Sequence, residues 1–281
     1  MRKPNQLHML ALIVVLVLFV VSFSLVSAAP ANQRTNSLGD VFGVTTGNRL
    51  ISFNRNNPNS IRSNVQITNL RSGEHVLGID YRATNGKLYA VGSSNRVYTI
   101  DPNTGRATPV AGIFTPSRNG NSFGLDFNPT VDKVRFVSDL DQNLRLDPDL
   151  GTALFVDGTL KFAPTDVNSR GNPNVSGVAY TNNFAGATAT TLYGIDSFRD
   201  ILVIQNPPND GVLTTVGKIG IDTTSLVGFD ITDGNAAYAS LTKPGSKYSD
   251  FYSINLSTGR ATLIGRINKD QTLRGITIVP K

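Results

Sequence analysis

The sequence predicts an all-β fold: a five-bladed β-propeller of four-stranded antiparallel blades, its ring closed by pairing of the N- and C-terminal strands. Three observations predict it. The acids are lopsided, 19 Asp against the single Glu74, whereas a chain built on helices uses Glu freely. A short pattern returns as Gly78-Ile79-Asp80-Tyr81, Gly124-Leu125-Asp126-Phe127, Gly177-Val178-Ala179-Tyr180, Gly228-Phe229-Asp230-Ile231 and Gly275-Ile276-Thr277-Ile278, at spacings of 46, 53, 51 and 47 residues. The last copy has no strands after it, and the start of the chain supplies three strands that lack a first.

The N-terminus comes first. Arg2 and Lys3 precede an apolar run from about Leu7 to Val26, followed by the small residues Ser27, Ala28, Ala29, Pro30 and Ala31. A positive start, an apolar stretch and small residues at −3 and −1 make a secretory signal, with cleavage after Ala28 or after Ala31. The apolar run is also long enough to span a bilayer, so an uncleaved anchor is the alternative. The expected organisation is residues 1–28 as signal peptide or anchor, 29–39 as linker and 40–281 as propeller. The expected location is secreted, periplasmic or extracellular, or membrane-anchored through the N-terminal segment.

Each repeat then runs through the same series. The Gly-led run is the first strand. A second apolar run lies at 88–91, 134–137, 192–195 and 237–239, and a third at 97–100, 144–146, 201–204 and 251–254. Turns follow at 101–105, 147–151 and 255–259, then a fourth run at 107–110, 153–156, 213–216 and 261–264. The runs are short, rich in β-branched and aromatic residues, and bounded by Gly, Asn, Asp or Pro, which are strand and turn signals. Four strands in 40–50 residues is the measure of a propeller blade. No stretch of helical periodicity separates the strands, so βαβ units are excluded. The runs at 41–44, 49–53 and 64–67 complete the fifth blade with the first strand from Leu273 to Val279, and a ring latched in this way has no long free inner edge.

The chain also resembles a known family, the exported bacterial propeller-like proteins of domain of unknown function 4394, over roughly residues 40 to 280. The carrying segments are Phe127-Asn128-Pro129-Thr130-Val131-Asp132, Val137-Ser138-Asp139, Gln142-Asn143-Leu144-Arg145-Leu146, Asn172-Pro173-Asn174-Val175, Ala179-Tyr180-Thr181-Asn182-Asn183 and Gln205-Asn206-Pro207-Pro208-Asn209. The resemblance implies a five-bladed propeller outside the cytoplasm and brings no catalytic residue with it.

Composition excludes much chemistry. With no Cys there is no disulfide, thiolate nucleophile or Cys-bound zinc. His8 and His75 are the only histidines, so a Ser-His-Asp triad of the exported part would have to run through His75. Formal charge is +6, but the basic residues are scattered and form no stripe of the kind that grips nucleic acid. No nucleic-acid partner is expected, and a monomer is.

Five sets of residues invite a functional reading. Asp80, Asp126 and Asp230 share one position on the innermost strands, where Ala179 and Thr277 stand in the other two repeats. They either cap backbone N–H groups of a neighbouring blade, hold Ca²⁺ through their oxygens, or act as acid and base of a glycan hydrolase at the channel mouth. Asp139-Leu140-Asp141-Gln142-Asn143 opens like a calcium loop, but Leu144 and Leu150 occupy the positions that need Gly and Glu, leaving a hairpin tip or a different calcium site. Arg135 and Arg145 lie on adjacent strands of that hairpin, with Asp132, Asp139 and Gln142 nearby. This is a surface ion-pair network or an anion-recognising cluster. Glu74 and His75 are neighbours in an extended segment, so their side chains are expected to diverge. The turn at 206–211 is either a plain hairpin connection or a ligand-contact loop.

The expected function is an exported non-catalytic binding or scaffold propeller for a glycan, peptide or envelope partner, without a required cofactor. A hydrolase using the aspartates and a Ca²⁺-stabilised structural propeller are the alternatives.

Overall fold

A computed structural model of the chain describes residues 38–267 and 271–280. The expected signal or anchor, and the linker up to residue 37, lie outside the described residues. Among the described residues no helix is long and apolar enough to cross a membrane.

The first strands are β1 (Val41–Thr45), β2 (Arg49–Asn54) and β3 (Asn57–Gln66). Next come β4 (Val76–Arg82), β5 (Lys87–Gly92), β6 (Arg96–Ile100) and β7 (Ala107–Pro109), then β8 (Phe123–Asn128), β9 (Lys133–Ser138), β10 (Asn143–Leu146) and β11 (Ala153–Val156). The short β12 (Lys161–Phe162) precedes β13 (Val175–Tyr180), β14 (Leu192–Asp196), β15 (Ile201–Gln205) and β16 (Val212–Lys218). The chain ends with β17 (Val227–Ile231), β18 (Ala237–Leu241), β19 (Asp250–Ile254), β20 (Ala261–Arg266) and β21 (Leu273–Ile278).

These strands form five separate sheets, the five blades of a propeller. The first blade has the order β21-β1-β2-β3, so the last strand of the chain is the innermost strand of the first sheet. Its antiparallel register with β1 pairs Val41 with Ile278 and Gly43 with Ile276, which is the expected latch. One blade departs from the four-strand rule. In the fourth, β12 adds to the outer edge of β16 as a parallel fifth strand, Lys161 opposite Val212.

An apolar layer fills each junction between neighbouring blades. Alternation within a strand divides its side chains between two layers. On β5, Leu88 and Ala90 pack toward the first blade while Tyr89 and Val91 pack toward the third. Strands buried on both faces read as continuous apolar runs, which is why the runs in the sequence show so little polar alternation.

The repeated glycine is explained at the ring's centre. A Cβ on Gly124 would lie 2.7 Å from the backbone N of Val178, and one on Gly228 2.6 Å from that of Ile276. Inner strands of successive blades approach so closely there that only a hydrogen fits. The residues around the glycines enclose an axial cavity of about 10 Å³, room for about one water.

Candidate functional site

Two residues after each glycine, the side chain points the same way, toward the next blade. Asp80 Oδ2 accepts the backbone N–H of Phe127 at 2.8 Å, Asp126 Oδ1 that of Tyr180 at 3.0 Å, and Asp230 Oδ2 that of Ile278 at 2.5 Å. Thr277 continues the series: its hydroxyl accepts the N–H of Tyr81 at 3.2 Å and donates to Asp80 Oδ1 at 2.8 Å. Ala179 breaks it, and the N–H of Ile231 turns instead to Oδ1 of its own neighbour Asp230, at 2.6 Å. The repeated position is therefore a side-chain-to-backbone clasp between inner strands, made at every junction except the one from the fourth blade to the fifth.

The same geometry gathers the three carboxylates. One oxygen from each lies within 4.8 Å of the others, and all three residues are 1 % exposed. Burial, only partly offset by the amide donors, pushes Asp80 up to about 7. Burial, then the like charges of Asp80 and Asp230, raise Asp126 well above the usual carboxylate range. Burial and the charge of Asp80 do the same to Asp230.

The expectation of aspartates at an open channel mouth is corrected here. Five of the six oxygens accept a backbone N–H, and burial keeps them from solvent. A glycan hydrolase needs two carboxyl groups about 5–9.5 Å apart with a sugar and a water between them, and this packing leaves room for neither. The sixth oxygen, Oδ2 of Asp126, is buried without a hydrogen-bond partner.

The arginine cluster is real, but its partners differ from those expected. Arg135 is 1 % exposed. Its guanidinium donates to Asn143 Oδ1 at 2.6 Å, Asp157 Oδ2 at 2.7 Å, Asn209 Oδ1 at 2.8 Å and the Tyr180 hydroxyl at 3.3 Å. Arg145 grips both oxygens of Asp157, at 2.7 and 2.9 Å, and stacks on Phe155 at 4.0 Å. Asp139 instead accepts the N–H of Asn121, and Gln142 bonds Asn119 and Ser117. Asp132 belongs with Asp149 to a third group, both carboxylates holding Arg82. The turn at 206–211 connects β15 to β16, and its Asn209 and Pro208 lock onto Arg135 and Asn143 of the preceding blade. Asp157, Asn143 and Asn209 are not grouped by sequence because they come from separate places: the segment after β11, the start of β10 and the turn between β15 and β16. Their only signal there is the density of Asn and Asp at strand ends.

Glu74 and His75 diverge as expected. Burial works against the Glu74 charge, but donors from Ser94, Tyr98 and the Arg71 backbone outweigh it and hold this carboxyl below its ordinary value. His75 is exposed.

One open recess stands beside the latch. Its volume is about 530 Å³, and Leu38, Phe42, Tyr81 and Val279 line it with Asp40 and Arg55. Those two form an ion pair at 2.5 Å, with the guanidinium 5.6 Å from the Tyr238 ring centre.

Among solved structures, the chain is similar to one in a nidogen/laminin complex, at 14% identity and a TM-score of 0.50, over 85% of this chain and 97% of that one. It is similar to a structural genomics protein of unknown function from Bacteroides thetaiotaomicron, at 12% identity and a TM-score of 0.50, over 86% and 64%. It also matches hydrazine synthase of Kuenenia stuttgartiensis, at 14% identity and a TM-score of 0.42, over 72% and 53%, so it spans about half the length of that chain. At such identities the likeness to the first two is one of fold. No curated protein matches. The repeated Gly-x-Asp strands and the turns that lock them fall within residues 49–277, the segment matched by the family described as Domain of unknown function (DUF4394), and the chain belongs to that family.

Proposed function

We propose that this chain is an exported, non-catalytic propeller that binds a glycan or peptide of the cell envelope at the recess beside its latch. The observation that carries the reading is a contrast. The clustered carboxylates are sealed, with five of their six oxygens committed to backbone amides, while the recess offers an apolar wall with a convergent ion pair, Asp40 and Arg55. Pockets of a few hundred cubic ångströms with apolar walls and a few placed polar groups are the ordinary form of a ligand site. The guanidinium is a donor fork suited to a carboxylate or a row of hydroxyls.

The test is binding of purified protein to glycan and peptide arrays, repeated with Arg55→Ala. Retained ligands are expected to be lost with that substitution and to remain uncleaved on prolonged incubation. Ligands that bind Arg55→Ala equally well, or that are cleaved, sink the reading.

A further inference from the structure

The three aspartates present an electrostatic problem that the protein's own side chains do not solve. Asp80 and Asp230 each accept backbone N–H groups on both oxygens. Such donors favour the charged carboxylate. Taking several like charges out of water with no counter-charge is costly. The arginines that stand on or beside these strands are engaged elsewhere: Arg82 by Asp132 and Asp149, and Arg135 by Asp157. Arg274, at the axial cavity, donates to the Thr46 carbonyl at 2.9 Å. The Asp126 Oδ2 atom is fully buried and carries no hydrogen bond, and one oxygen of Asp126 lies within 4.8 Å of one from each of the other two aspartates.

We propose that Asp80, Asp126 and Asp230 bind one calcium ion on the propeller axis, with Asp126 Oδ2 as a dedicated ligand. Several points favour this ion. All the donors are hard oxygens, which select calcium or magnesium over transition metals. A spread within 4.8 Å suits oxygens placed about 2.4 Å around one centre. A carboxylate oxygen that accepts one N–H keeps a second lone pair for the ion. Magnesium demands near-ideal octahedral geometry and keeps several of its waters, whereas calcium accepts an irregular oxygen cage, such as three carboxylates with five oxygens already tied to backbone N–H groups. The ion then replaces mutual repulsion by attraction among the blades that supply the ligands, and because the site is sealed it enters as the ring closes.

The experiment measures metal content and melting temperature. Protein as purified is analysed for metals, then unfolded and refolded with calcium chloride, with magnesium chloride, or with chelator alone. The expected result is about one calcium per chain in the purified and calcium-refolded protein. At roughly a thousandfold excess of calcium over its Kd, the melting temperature rises by about 10 °C over the chelator-refolded sample, and magnesium does not reproduce this rise. Asp126→Asn keeps the Oδ1 bond to Tyr180, so it is expected to fold. It should lose the calcium and the calcium-dependent shift, and in chelator it should melt no lower than the parent, since one like charge is gone. Purified protein without stoichiometric calcium and without a calcium-dependent shift overturns the proposal. So does an Asp126→Asn protein that keeps both, or an equal response to magnesium.

Discussion

Asp126 and Arg135 are register partners across β8 and β9, yet the guanidinium pairs with Asp157 at 2.7 Å. Tyr180 stands between them. Its backbone N–H serves Asp126 and its hydroxyl serves Arg135. The arrangement gives this buried cation a polar network of its own between the third and fourth blades.

Removing Arg135 therefore leaves Asp157, whose side chain is 6 % exposed, to the more exposed Arg145, and Asn143 Oδ1 to the longer bond from Gln205 Nε2 at 3.3 Å. Arg135→Ala is expected to cost about 3–5 kcal/mol, the usual result of breaking a buried pair from one side. Arg145→Ala, which leaves Asp157 paired with Arg135, should cost about 1 kcal/mol. Urea unfolding of the two variants checks the ranking, and equal losses would show that Asp157 depends on both.

Glu74 supplies a pH signature. Its folded carboxyl lies below the ordinary value, so its stabilising contribution is complete above the unfolded pKa of about 4.3. That contribution is lost as pH falls through the folded value. Glu74→Gln should lower the urea midpoint at pH 7 and leave a smaller loss between pH 5 and pH 3 than the parent shows. A variant with the parent's acid profile would assign that loss to other carboxylates.

Close approach at the axis predicts intolerance at glycine. Gly228→Ala places a methyl 2.6 Å from the Ile276 backbone N, in a ring that relieves it only by shifting a strand. A loss of about 1–3 kcal/mol is expected, the range for overpacking. Gly234→Ala should cost far less, because a methyl there meets only the Thr232 hydroxyl, at 3.9 Å. Thermal melts of the two alanine variants provide the comparison.

The proposed export predicts the mature end. Mass spectrometry of protein recovered outside the cytoplasm should find Ala29 or Asn32 as the first residue, following cleavage after Ala28 or Ala31. Full-length chain held in the membrane fraction would identify the N-terminal run as an anchor.

The blade number and the latch are legible in the sequence because each rests on a repeat. Gly-x-Asp recurs where the ring is tightest, and the missing first strand of one end matches the surplus strand of the other. The fifth strand of the fourth blade is not legible. Lys161 and Phe162 are too few to show a period, and their partner Val212 is set by how the chain crosses between blades. The beginning of β3 is hidden for a related reason: Asn57 to Ser60 contain no apolar run, and only Pro58 among them is buried. For the site, the three aspartates can be grouped from their shared position, but their depth depends on how far the glycines let the strands converge. Arg135 and Arg145 group correctly, since they face each other across β9 and β10. Their acid, Asp157, lies beyond the following strand, where sequence distance is a poor guide.

The innermost strand of the first-made sheet is synthesised after every other strand of the ring. A polypeptide threaded amino end first cannot finish that sheet until Ile278 has left the ribosome or the translocation pore. The pairing of residues 41–45 with 273–278 thus comes at the end of assembly, and such distant pairings are slow to form. Any product that stops before β21 carries β1 with a bare edge, the kind of surface at which chains stick to one another, so synthesis through Ile278 is itself a guard against aggregation.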